Sequence, residues 1–519
     1  MLKIQQHSKI YLAIILIFAF ILRVIYLNEI PNGFFTDEAS NAYDAYSVLH
    51  TLKDQYGKFL PWYFKSANDY REGLYIYIMF PFIKIFGLNP LGARIISSII
   101  GTLTVLVTYY LSKEIFNQKV GLLSSLFLAI IPWHIHFSRV TFRAILVPFL
   151  FCLGLLFFIK SFKYPKYLIV SSFTFAVSIY TYNSARLFIP LFLIGLVTVY
   201  WKHLWVNKNL TIISFIIFLT IFFPQLIHQL SPEGMARANT VGIKTDISIV
   251  FRNYLSYFNP KFLFFEGDPS PRHTVNKVAG LFVFQLPLLI LGIVSLTREI
   301  NPYKSVILLW LVLYPIPAAF ISADSAVRTL VVTPLFSIIS AYTIFKIIDI
   351  FNKKYQYIVT CLMISILVSN VAIFCKRYFI EYPGWHTDVW LSTLGETISY
   401  ANQTSYECIV YSNNAYGNYA YILIPFFTQI LPDEYHKFNV DVSVNRLDMG
   451  RWNIKELETS EDLNTSCLYL LSGDPNANNP KGQDGQTLKA KGYEEKFIYS
   501  IKDIKNREFF RLVEIKQSL

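Results

Sequence analysis

Apolar runs of about 20 residues recur through the first three quarters of the chain, the length a helix needs to cross a bilayer core of ~30 Å. They lie near 10–27, 91–112, 120–137, 142–159, 167–182, 187–201, 210–228, 278–296, 303–321, 329–350 and 356–375. The pattern predicts a polytopic α-helical membrane protein with about 11 transmembrane helices. Composition agrees. Hydrophobic residues make up 54% of the chain and charged residues only 15%, against about 25% charged in soluble domains. The net charge of +12 does not point to nucleic acid, because the basic residues are scattered between apolar runs. Loop orientation and anionic lipid account for them. Lys3 and Lys9 precede the first run as in a signal peptide. Without an A-x-A-like site, that run reads as an uncleaved first span.

Loop charges orient the spans. With a cytoplasmic N-terminus, the short inside loops carry Lys113, Lys119, Lys160, Lys163, Lys166, Lys202, Lys208, Arg298, Lys304, Lys346, Lys353 and Lys354. The short outside loops carry Arg139, Arg143, Arg186 and Arg328. Counting the shorter run 74–87 as a span reverses this bias, so it reads as a helix on or dipping into the outer leaflet. Residues 28–90, 229–277 and the tail after 376 then face outside. The expected division is a membrane domain over 1–375, with outer loops 28–90 and 229–277, and an extracytoplasmic domain over 376–519. In the tail, "CIVYSNN", "CLYLLSG", "EKFIYSI" and "FFRLVEI" read as strands and 388–401 as helical, a small α/β domain. "GDPNANNPKGQDGQ" reads as a loop. Cys408 and Cys467 lie in this tail and could pair if it is exported.

Lys dominates inside, whereas the short outside loops use only Arg. A planar guanidinium grips phosphate oxygens in a bidentate fork, and Lys acts as a point charge. The set Arg139, Arg143, Arg186 and Arg328 therefore suits a phosphate at headgroup depth, with snorkelling to lipid as the plainer account of any single one. Arg23, within the first span, either faces protein or snorkels outward.

Asp37 and Glu38 follow the first span. Thr36 or Asp37 could cap a helix whose apolar residues at 42, 45, 46, 49 and 52 form a stripe, lying along the membrane surface. Capping explains one acid but not its place on the arginine-bearing face. A carboxylate beside a phosphate-activated substrate could take the proton of an acceptor hydroxyl. No dedicated metal site is expected. His134 and His136 point about 200° apart on a helix, and no HExxH or CxxC occurs. Asp37 with Glu38 could hold a divalent cation, Mg or Mn, beside a phosphate. No other cofactor is expected, since Walker and dinucleotide motifs are absent.

Several stretches occur in order: "IPNGFFTDEASNAYDAYSVL", "DQYGKFLPWYF", "FGLNPLGARIISSIIGTLTVLVTYYLSKEIF" and "IIPWHIHFSRVTFR". Further on come "DPSPRHTVNKVAGLF" and "SADSAVRTLVVTP". Over roughly residues 10–350 the chain resembles the bacterial branch of the protein O-mannosyltransferase and aminoarabinose transferase-like families, both GT-C glycosyltransferases. The resemblance implies a polyprenyl-phosphate-linked monosaccharide as donor and transfer on the outer face in one inverting displacement. It implies Asp37 as base and basic residues holding the leaving phosphate, with Arg139 as the leading match. The mechanism expected from this sets the donor phosphate among Arg139, Arg143, Arg328 and Arg186, with Glu38 orienting Asp37 or raising its pKa by like charge. Arg94, Arg71, Arg272 and His273 are further site candidates. The expected setting is the plasma or inner membrane, with an acceptor protein, glycan or lipid as partner. "NDYREGLYIY" stands where a Pro-Pro step is usual, and no trefoil domain is present. These departures bear on sugar and acceptor. Two alternatives are a transporter or flippase for a lipid-linked sugar, and a ligase moving oligosaccharide from a polyprenyl diphosphate.

Overall fold

The computed structural model describes residues 2–67, 69–275, 278–416, 419–441, 446–459, 463–473 and 482–518. Two compact units divide the chain. One takes Met1–Ile25, Tyr70–Tyr75 and Ser97–Ile380, and the other takes Tyr26–Asp69, Ile76–Ile96 and Glu381–Leu519.

The first unit is a helical bundle of a membrane protein. Among the described residues, seven helices are long and apolar enough to span: His7–Val24, Pro90–Ile115 (which begins in the second unit), Arg143–Ser161, Asn183–Val206, Lys208–Leu230, Leu330–Ile350 and Lys353–Gly384. Shorter apolar helices cover Gln118–Ile130, Tyr167–Ser178, Gln285–Arg298 and Lys304–Ala319. Each predicted apolar run falls on one of these helices. The run 120–137 is not one helix, however. Pro132 has no N–H to continue the ladder, so the chain breaks after Ile130 and restarts as Pro132–Phe137. The N–H of Trp133 turns instead to the carbonyl of Gly280 at 3.1 Å. Pro315 and Pro317 interrupt 303–321 in the same way. The bundle core is aromatic. Phe151 packs against Phe188, Phe192 and Trp310 with ring centroids 5.0, 4.8 and 4.7 Å away. Small residues let helices approach; a Cβ on Gly292 would stand 2.2 Å from Thr343 Oγ1. The helices Lys208–Leu230 and Lys353–Cys375 leave most of their apolar side chains exposed, which lipid would cover.

The second unit joins the helix Thr36–Thr51 to the tail. That helix is buried on most sides, Thr36, Ala39, Tyr43, Asp44, Ser47 and Val48 included. The expected single stripe along a membrane surface is not what forms, because the tail helix Ala420–Thr428 packs on it. Tyr43 also donates to the carbonyl of Ile430 at 2.9 Å.

The tail carries a six-stranded mixed sheet. Its strands are β1 (Ile409–Ser412), β2 (Arg446–Met449), β3 (Trp452–Lys455), β4 (Leu468–Ser472), β5 (Tyr493–Lys502) and β6 (Glu508–Gln517). The order is β2-β3-β1-β4-β6-β5, with β1 parallel to β3 and β4 and the other pairs antiparallel. Central β1 is buried along its whole length, as parallel strands covered on both faces are. The parallel register sets Ile409 beside Leu468, which brings the preceding Cys408 and Cys467 to a Cα separation of 4.7 Å, and they form a disulfide. The four predicted strands are β1, β4, β5 and β6. The predicted loop 473–486 ends early: residues 474–481 lie outside the described residues, and Gly482–Ala490 is a helix. Two glycines hid it from propensity. Buried Asp484 anchors it, accepting from Ser412 Oγ at 2.7 Å and from the N–H of Ser472 at 2.8 Å.

Candidate functional site

In the second unit the acid loop is organised around Arg94. Its Nε and Nη2 each reach a different oxygen of Glu38 at 2.9 Å. Its remaining N–H groups donate to the carbonyls of Leu27 (3.3 Å), Pro31 (3.1 Å) and Gly33 (2.7 Å). A guanidinium has five N–H donors, and all are used. Arg94 and Glu38 are both fully buried, and Phe34 covers the guanidinium. Gly33 sits at φ +114, and a Cβ there would be 2.2 Å from the carbonyl of Trp390.

Glu38 also accepts from the N–H of Phe35 at 3.3 Å. Phe35, not Thr36 or Asp37, occupies the N-cap position. The acid that closes the helix end is therefore Glu38, from three residues inside. Asp37 is exposed, and among the described residues of its own unit no side chain pairs with it. Both oxygens of Glu38 are committed to Arg94, so the pair does not offer two open carboxylates to a cation. Among the described residues no three His, Cys, Asp or Glu side chains cluster as a metal site.

In the first unit the arginines sort into two kinds. Arg139 is wholly buried. It donates to the carbonyls of Leu22 (3.0 Å) and Ile25 (2.7 Å) at the end of the first span and lies over the rings of Tyr378 and Phe379. Arg23 is equally buried and does not snorkel. It donates to the carbonyls of Leu128 (3.2 Å) and Ala129 (3.0 Å), with Nη2 2.9 Å from His134 Nδ1. Both arginines close the C-terminal ends of helices, where free carbonyls concentrate negative charge.

Arg143, Arg186 and Arg328 form the second kind. Arg143 and Arg186 converge on Glu72, Arg143 on Oε2 and Arg186 at 2.7 Å from Oε1. Burial alone would raise the Glu72 pKa, but the two guanidiniums hold it below the ordinary 4.5. Arg186 also donates to Gln229 Oε1, while its buried Nε finds no acceptor among the described residues. Arg328 donates to Ser322 Oγ (3.1 Å) and Ser325 Oγ (3.0 Å). Arg186 and Arg328 both line a cavity of about 450 Å³, whose wall is otherwise largely apolar: Leu187, Ile243, Pro317, Phe320 and Ile321. One carboxylate thus takes two guanidiniums, a third, Arg328, lies on the wall of a cavity shared with Arg186, and that greasy cavity opens beside the surplus charge.

Asp268 ties two of the late sequence stretches together. It accepts from the N–H of Ala326 at 2.6 Å and stands 3.1 Å from His273 Nδ1. It thereby fixes the 322–328 loop that carries Arg328. Arg272 contributes its carbonyl, 2.7 Å from His136 Nε2. Arg71 is buried beside Glu72 in the sequence. Glu72, Gln229 and Asp268 escaped the sequence reading. A lone acid or amide next to an apolar run carries no spacing signal.

Residues 74–228 match the family model of dolichyl-phosphate-mannose-protein mannosyltransferase. The crystal structure of apo ArnT from Cupriavidus metallidurans superposes with a TM-score of 0.58 at 11% identity, covering 97% of each chain. The fold is of the GT-C type. ArnT bound to undecaprenyl phosphate superposes on this chain with a TM-score of 0.56 at 12% identity, again over 97% of each chain. The archaeal oligosaccharyltransferase AglB from Archaeoglobus fulgidus, in complex with an inhibitory peptide and a dolichol-phosphate, gives 0.55 at 13% identity. That match covers 82% of this chain but only 64% of AglB. No curated protein matches the sequence.

Proposed function

We propose that the protein is an integral membrane glycosyltransferase that moves a monosaccharide from a polyprenyl-phosphate donor to an acceptor hydroxyl on the outer face of the cell membrane. The membrane domain 1–375 performs the transfer, and the domain 376–519 is extracytoplasmic. The observation that carries this reading is the cavity of about 450 Å³, where two guanidiniums meet an apolar wall. That is the chemistry of a phosphate on an isoprenoid chain. The mannosyltransferase family match and the undecaprenyl phosphate bound by ArnT support it.

The acceptor oxygen attacks the anomeric carbon as the bond from that carbon to the phosphate oxygen breaks. The electron pair leaves with polyprenyl phosphate, where Arg186 and Arg328, backed by Arg143, stabilise the growing charge. The acceptor proton passes to Asp37. A single displacement inverts the anomeric configuration. Glu38 and Arg94 are positioning residues for the Asp37 loop.

The test is release of free polyprenyl phosphate from a panel of radiolabelled polyprenyl-phosphate sugars, with purified wild type beside Asp37→Asn and a panel of acceptors present. Loss of a general base costs about 10²–10⁴-fold in rate, and the variant should melt as wild type does. Equal release by both proteins would refute the assignment. The likeness to AglB favours a second reading, an oligosaccharide ligase using a polyprenyl diphosphate donor. Turnover of an oligosaccharide-diphosphate donor with no turnover of monosaccharide-phosphate would decide for it.

A further inference from the structure

We propose that the second unit carries a carbohydrate-binding cleft and that the acceptor is a glycan held there; only the word acceptor rests on the transferase reading. A cavity of about 560 Å³ opens between the 28–34 loop, the helix Leu394–Gln403 and strand β5. Every residue lining it belongs to this unit.

Its chemistry is that of sugar recognition. Tyr400 and Tyr499 stack face to face, with centroids 3.6 Å apart and planes within 3°. Tyr400 remains 37% exposed, so the pair presents a flat aromatic plate to the cleft. The electron-rich face of such a ring attracts the weakly positive C–H edge of a pyranose. Around the plate stand Asn28, Glu29, Glu396 and Gln403, side chains that accept from hydroxyls or exchange bonds with them. Among the described residues no Lys or Arg lines the cleft, which argues against a phosphate or an acidic polymer as occupant.

Three further features mark the cleft as built for a ligand. Thr393 lines it, is 9% exposed, and its Oγ1 has no hydrogen-bond partner among the described residues. A buried hydroxyl left unpaired is costly, and a ligand hydroxyl would satisfy it. Leu391 and Thr393 also sit at φ +57 and +68, an unfavourable region for residues with a side chain. Strain of this kind persists where the surroundings enforce it, often at ligand clamps. On the other wall, β5 changes register between Phe497 and Tyr499; such a bulge re-aims a side chain, here the lower ring of the plate.

The experiment titrates purified full-length protein in detergent with neutral tetrasaccharides of mannose, glucose and N-acetylglucosamine, read by saturation-transfer NMR without donor. Wild type should bind at least one, with transfer strongest to ring C–H protons. Tyr400→Ala should weaken that binding by about tenfold, while Tyr400→Phe keeps it. Glu396→Gln, at an exposed position, should weaken it severalfold and serves if Tyr400→Ala fails to fold. Absence of binding by wild type across the panel would overturn the cleft. So would equal affinity in wild type, Tyr400→Ala and Glu396→Gln. Binding is read without transfer, so failure of Asp37-dependent phosphate release would count against the enzyme reading alone.

Discussion

Buried glutamates meet arginine in two regions, and the two encounters differ in what is left over. Glu38 and Arg94 close on each other: two bonds join them, and three backbone carbonyls take the remaining guanidinium donors. Glu72 instead receives two arginines, and a third, Arg328, shares a cavity with one of them. The first arrangement has no donor or charge to spare. The second keeps a surplus of positive charge beside an apolar cavity. Residue type does not separate an anchor from a candidate binding site here. The balance of donors, acceptors and charges does.

The largest expected effect comes from breaking the closed pair. Arg94→Ala leaves Glu38 buried without its countercharge and frees three carbonyls, which should cost about 3–5 kcal/mol of stability. Arg94→Lys should recover little of it, since an ammonium has three donors and no planar fork. Thermal unfolding in detergent measures both. A melting temperature near wild type for Arg94→Ala would mean that the pair does not anchor the loop. Next in size is the covalent anchor of the same unit. Replacing Cys408 and Cys467 by Ser should cost about 2–4 kcal/mol, read by denaturant unfolding with and without reductant.

The open cluster should respond in binding rather than in folding. Arg328→Ala removes a charged donor whose hydrogen-bond acceptors among the described residues are two serine hydroxyls. Charged hydrogen bonds contribute about 1.5–3 kcal/mol, so polyprenyl-phosphate affinity should fall about 10- to 100-fold, with little change in melting temperature. A matching loss of stability and unchanged lipid affinity would move Arg328 into the anchoring class.

The helical layout was legible because burial in lipid demands long apolar runs, and the exceptions fall at Pro132 and Pro315, where a missing N–H cuts the ladder. Strands β1, β4, β5 and β6 announced themselves by composition. β2 and β3 did not, being four-residue strands with polar residues such as Arg446, Asp448 and Asn453. The candidate site was legible only as a roll of arginines that loop charge assigns to one face. Sequence could not divide them, because Arg139 and Arg186 look alike until backbone carbonyls claim one and a cavity opens beside the other. Glu72 was the deciding residue, and its partners are 71 positions or more away in the chain.

The smallest effect tests the electrostatics of that residue. Arg186 and Arg143 hold the folded-state pKa of Glu72 below its ordinary 4.5. A lowered pKa in the folded state means that folding favours the carboxylate. Its stabilisation is therefore fully present above the unfolded value and is lost as pH falls through the folded value. The stability difference between wild type and Glu72→Gln should stay constant at and above about pH 5.5. It should narrow only as the pH drops below 4.5. Unfolding curves of the two proteins across that range give the answer. A difference that already narrows near pH 6 would mean that Glu72 titrates high. The two guanidiniums would then be less committed to it than the structure implies, and the surplus of charge at the cavity would be larger still.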